Sequence, residues 1–221
     1  MKIRHLILIS LLAFFSVLMV RITIPYFVMQ DDVGFLKIKQ WMIGNKFWKN
    51  AFYTHVFLSC FLLVAGFTQF FQPQKYKKLH RGIGKMYIIV LLFFSAPAGL
   101  VMGYYANGGI LSQISFVMLA LLWIFTTGKA YLEARKKNFI EHGNFMMRSF
   151  ALAVSALTLR LWKYLIVIAF HLHPMDVYRI VAWLGWIPNI LIAEYLIRKG
   201  WSKRIMFPEK KLAGNRLNEK N

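Results

Sequence analysis

His80 and His142 are the residues in this chain best suited to chemistry. Each stands where a polar, basic stretch gives way to a long apolar run, in LHRGIGKMY and EHGNFMMRS. Imidazole binds metals and exchanges protons near neutral pH. Two imidazoles are also the smallest protein ligand set for a six-coordinate haem iron, because the porphyrin supplies the other four ligands. Arg81 and Arg148 lie close by in sequence and could neutralise a haem propionate, which cannot stay unpaired near hydrocarbon. The structural alternative makes both histidines interfacial helix-start residues in contact with headgroups, and pairs Arg148 with Glu141 or Glu194.

A second set comprises His55, Arg160 and Lys163. Arg160 and Lys163 fall about one helical turn apart and could clamp the carboxylate or phosphate of a small anionic or amphiphilic ligand. Alternatively both snorkel to headgroups, Lys163 more readily than Arg160. His171 and His173 read as ordinary loop residues. No metalloprotease pattern, Gly-x-Ser-x-Gly elbow or Gly-rich phosphate loop occurs, and no carboxylates pair within the spans, which speaks against glycosidase or aspartic-protease chemistry. The single cysteine, Cys60, excludes an intrachain disulfide and a thiolate cluster site.

The elements that must position these residues are membrane helices. The 221 residues are 58% hydrophobic and only 16% charged, a balance that belongs to a polytopic membrane protein. A net charge of +20 could signal nucleic-acid binding, but the Lys and Arg gather in short segments beside apolar runs, as topology signals do. The expected fold is an all-α membrane bundle of six transmembrane helices. One domain covers 1–199, and a basic tail follows at 200–221. The N-terminal apolar run is kept as an uncleaved first span, ended near Pro25, with Arg21 reaching toward Asp31 or Asp32. The stretch 31–49 reads as an interfacial connection. The second span runs from about Phe47 to Phe71, the third from Ile83 to Tyr105 and the fourth from Leu111 to Ala130. The fifth starts near His142, and the sixth runs from Val177 to Ile197.

The third and fifth loops, around Asn107 and His173, contain no Lys or Arg, whereas the segments on the other side are rich in them. Both termini are therefore expected in the cytoplasm, with anionic lipid headgroups against that basic face. In the fifth span His142, Ser149, Ala153, Ala156 and Arg160 share one helical face, roughly 27 Å long at about 1.5 Å per residue. Its small residues let other helices approach, so this span is expected at the bundle centre. Gly82, Gly84 and Ser149 would leave space for a porphyrin.

His55 with Gly66 and Gln69, then His80, Arg81, Gly84 and Tyr87, then His142, Met146, Arg148 and Ser149, closed by Arg160, together resemble the bacterial membrane family called domain of unknown function 2306. The likeness covers about residues 50–165, with Phe145 where tryptophan is usual. It implies a multi-pass inner-membrane protein and brings no established activity. Histidines near helix ends also resemble the arrangement in transmembrane cytochromes b, but the fourth span has no histidine, so one haem b at most is implied. Two functions remain open: a b-type-haem redox protein using His80 and His142, and a non-enzymatic binding or transport protein using His55, Arg160 and Lys163.

Overall fold

The structure, a computed structural model, describes residues 3–69 and 76–206, apart from the side chains of 3–9, 11, 12, 15 and 206. The described residues form helices and turns without a strand. Helix α1 (Ile3–Thr23) passes into a 3-10 turn carrying Pro25, which has no N–H to continue a helix. After the short helix α2 (Gln40–Ile43) come α3 (Lys46–Gln69), α4 (Lys77–Val90) and α5 (Ala96–Tyr104). Then follow α6 (Ile110–Arg135), α7 (Phe139–Ala153), α8 (Ser155–Phe170), α9 (Pro174–Leu184), α10 (Ile187–Arg198) and the short α11 (Trp201–Met206).

Four runs are long and apolar enough to cross a membrane: Lys46–Gln69, Lys77–Tyr104, Ile110–Arg135 and Pro174–Arg198. The pair α7 and α8, bent by 40°, makes a fifth when counted as one span. The expectation of six spans is thus met to four or five, with α1 as the remaining long apolar helix. The loop 70–75 and the tail 207–221 lie outside the described residues.

Helices α4 and α7 start, and α3, α6 and α10 end, at one end of the bundle. Lys77, Lys78, Arg81, Lys136 and Arg198 gather there, and it is termed the basic end. The main core lies between α3, α4, α6, α7 and α10 and centres on Leu62, Tyr87, Leu91 and Leu152, none more than 1% exposed. A satellite core of Leu36, Met42, Trp48 and Phe52 fixes the 31–49 connection at the far end. Lys39, fully buried, locks that connection to the loop after α5. Its ammonium donates to the Tyr105 carbonyl and to Asn107 Oδ1 at 2.7 Å, and lies 4.3 Å from the Trp41 ring centre. Burial lowers its pKa to about 8.

Three breaks interrupt the long runs. A π-turn at Leu91–Ser95 joins α4 to α5, α7 bends into α8 at Val154, and α9 stops at Gly185 before α10. Backbone groups freed at membrane depth must find partners inside the protein. Asn189 Nδ2 donates to the carbonyls of Ala151 and Gly185, and the Thr158 hydroxyl donates to the Gly185 carbonyl at 2.5 Å. The last two breaks are thus stitched to each other.

The bend corrects two expectations about the fifth span. Its face is not one continuous stripe, because the axis turns between Ser149 and Arg160. Helix α7 is central, packed against α3, α6, α10 and α11, whereas α8 leans out and packs chiefly on α9. Asp31 is taken by Lys49 at 2.6 Å, so it is not the partner of Arg21.

Candidate functional site

His80 and His142 meet. Both lie in the first turns of parallel helices, α4 and α7, and their ring centres are 6.3 Å apart with the planes at 88°. The start of α7 is fixed by Asn138, whose side chain accepts from the Glu141 N–H, and by Glu141 itself, a carboxylate in the first turn. His142 Nδ1 sits 2.8 Å from the Ala130 carbonyl of α6, so that nitrogen carries the proton and donates. Nε2 is left with its lone pair. This is the pattern by which proteins orient a ligating imidazole. His80 is half-buried beside the Gln69 main chain, and its Nδ1 is buried without a hydrogen-bond partner. A buried orphan nitrogen is uncommon enough to require a reason.

The two rings border a cavity of about 50 Å³, room for a few waters. Gln69, Gly84, Met146 and Met147 line it, and Ser202 and Ile205 of α11 close it. Gly84 keeps the wall low, since a methyl there would meet Gln69 Oε1 at 3.1 Å. Ser202 is held in place by a hydrogen bond to Asn144 Oδ1, while Asn144 Nδ2 donates to Glu141 at 2.9 Å. The same short polar chain therefore ties the closing helix to the turn that carries His142.

The remaining residues of the first set lie elsewhere. Arg148 does not line the cavity. It points to α10, where Nε and Nη2 grip the two Glu194 oxygens at 2.5 and 3.0 Å, and its guanidinium stands 4.8 Å from the Phe145 ring centre. Glu194 rather than Glu141 is its partner, which withdraws it from a propionate. Arg81 is exposed. Ser149 does not open space for a cofactor; it is fully buried between Tyr87 and Thr127, with hydroxyls at 3.2 and 2.7 Å.

In the second set, His55 has a structural task. Nδ1 lies 2.8 Å from the Ser95 carbonyl at the end of the π-turn, and Nε2 lies 3.3 Å from Ser59, whose hydroxyl also meets Ser95 Oγ at 3.0 Å. With Nδ1 donating and Nε2 accepting, both ring nitrogens are occupied. Arg160 is exposed, and one of its Nη atoms donates to the Ala156 carbonyl of its own helix. Lys163 is exposed, and among the described residues no carboxylate pairs with it or with Arg160.

Reading by sequence passed over Met147, Ser202 and the structural weight of Lys39. Met146 and Met147 follow His142 by four and five residues, so helical spacing could have placed them beside it. Nothing local marks Ser202.

These features define a polytopic helical membrane protein with a histidine pair enclosed at one end of the bundle. The chain belongs to the family described as Predicted membrane protein (DUF2306), which matches residues 52–197. The match reaches beyond the block first recognised, through α10, and so includes both members of the Arg148–Glu194 pair. No curated protein and no solved structure matches the chain.

Proposed function

We propose that this membrane protein holds a b-type haem between His80 and His142 and works as a one-electron redox protein. The ring spacing carries this reading. Two iron–nitrogen bonds of about 2 Å, plus about 1.1 Å from each nitrogen to its ring centre, come to roughly the same span. His80 and His142 would be the two protein ligands to the iron. The donor count also favours haem over a bare borderline metal ion. No group of three or more His, Cys, Asp or Glu able to hold a metal occurs among the described residues, and such an ion needs more protein ligands than two.

The donors fit; the space is tight. At about 50 Å³ the cavity holds water-sized occupants, so a porphyrin needs α11, which closes the cavity with Ser202 and Ile205, to lift while α4 and α7 keep their histidines at the present spacing. Bound there, haem iron would supply one-electron chemistry. The Ala130 carbonyl fixes the His142 tautomer and raises its basicity. Gly84 keeps α4 from filling the site, and Met146 and Met147 keep its inner wall apolar. Arg81 is the nearby cation left for a propionate.

In the same reading all six apolar helices cross an inner membrane, with both termini and the histidine pair on the cytoplasmic side against anionic headgroups. Overexpressing membranes should gain a dithionite-reducible b-type band, and His80→Ala or His142→Ala should each abolish it. Purified, folded protein without the band would reject haem. Stoichiometric copper in that colourless protein would reassign the pair to a bare soft ion held with Met146 and Met147, the alternative that the small cavity favours.

A further inference from the structure

Helix α11 is a six-residue flap over the histidine cavity, joined to α10 through Gly200. The stem on which it hangs is fixed. Helix α10 is gripped to α7 by the Arg148–Glu194 pair near its end, and the N–H groups of Lys199 and Gly200 close its last turn on the Tyr195 and Ile197 carbonyls. Gly200 then takes the left-handed conformation, φ 72°, by which chains commonly leave a helix end. A methyl added there would meet nothing within 4 Å. The joint therefore has both backbone freedom and room to swing.

Helical spacing puts Ser202 and Ile205 on one face of α11 and turns Lys203 and Arg204 away from it. The first two border the cavity, with Ser202 buried, and α11 packs on α7; the two cations are exposed. Such charges favour water and headgroups over hydrocarbon, so a lifted α11 has a polar layer to enter. A latch holds the closed position. The Ser202 hydroxyl donates to Asn144 Oδ1, and Asn144 Nδ2 donates at 2.9 Å to Glu141, in the turn that carries His142. A helix this short has little stability of its own, so docking through that latch and Ile205 keeps it in place. Local opening of a small, lightly held segment is an ordinary motion of a folded protein. Behind α11 stand His80 Nδ1, buried without a partner, and the Nε2 lone pair of His142.

We infer that α11 is a hinged lid, turning about Gly200 and latched by Ser202 on Asn144, that admits small polar molecules to His80 and His142 only when open. The inference rests on reading the pair as a ligand site, whichever ligand it takes, and adds the control of access to it.

Full-length, haem-free protein in a neutral maltoside detergent is treated with diethyl pyrocarbonate, which acylates an accessible neutral imidazole. Peptide mass spectrometry gives the rate at each histidine. Exposed His171 sets the open rate, and His55, with both ring nitrogens occupied, sets the closed one. His80 and His142 should react at least about tenfold slower than His171, yet faster than His55. Ser202→Ala removes the latch and should speed both about fivefold, the effect of losing one hydrogen bond, with His55 unchanged. Ser202→Thr should keep the slow rate. A pair as reactive as His171 has no lid, and a pair as inert as His55 lies behind a fixed wall; either result would overturn the inference. So would unchanged rates in Ser202→Ala, or an equal rise at His55. Should Ser202→Ala fail to fold, the order of rates in the unaltered protein decides. Haem does not enter this readout, so a missing b-type band would reject the haem and leave the lid standing.

Discussion

Arg148 on α7 and Glu194 on α10 are joined by two parallel hydrogen bonds, with both side chains only partly exposed, at 21% and 35%. Taking away one partner strands a charge against lipid. Arg148→Leu or Glu194→Leu should each lower stability by about 2–3 kcal/mol, below the cost for a fully buried pair. The double replacement should recover much of the loss. Thermal unfolding of the three variants in detergent measures the coupling, and additive losses would show that the pair contributes little.

Gly99 and Gly82 make an internal contrast. A methyl at Gly99 would lie 2.9 Å from His55 Cε1 and Nδ1, whereas one at Gly82 meets nothing within 4 Å. Gly99→Ala should cost about 1–3 kcal/mol by driving His55 off the π-turn. Gly82→Ala, in the first turns of α4, should be neutral or stabilise by up to about 1 kcal/mol. The melting temperatures of the two variants should move in opposite directions or differ by several degrees.

Lys39 predicts a pH dependence. Its pKa falls from 10.5 in the open chain to about 8 on burial, so between those values the unfolded chain binds the proton more tightly. Stability should then be flat below about pH 8, rise through that window and level off above it. Allowing for water near the headgroup, the rise is about 2 kcal/mol. Melting curves at pH 7 and pH 10 check it; in Lys39→Met the difference should vanish.

The proposed topology places Met206 and the Asn107–Gly109 turn on opposite sides of the membrane. Fusions of an alkaline phosphatase and a fluorescent reporter at the two sites should give opposite signals. The reporter attached after Met206 should fluoresce, as a cytoplasmic end requires. Matching signals would mean an even count of crossings between the two points.

The sequence by itself determined that this is a helical membrane protein, because apolar runs near 20 residues have few other solutions. It also determined that His80 and His142 start helices at the same end, since charge sidedness and span order are properties of the linear chain. Tertiary structure decided which partners the polar residues take. Arg148 had two carboxylates in view, and only the docking of α10 against α7 selects Glu194 over Glu141. Ser149 reads as a small residue that leaves space for a porphyrin, yet packing of α4 and α6 turns it into the middle of a buried hydroxyl chain with Tyr87 and Thr127. The bend at Val154 has no proline or glycine to announce it. It is held by Thr158 and by Asn189 from another helix, so the exposure of Arg160 follows from contacts distant in sequence. Lys39 looked like one interfacial lysine among several; its burial depends on Tyr105 and Asn107, more than sixty residues away. Hydrophobic pattern is written residue by residue, whereas the satisfaction of a buried polar group belongs to whichever helix arrives beside it.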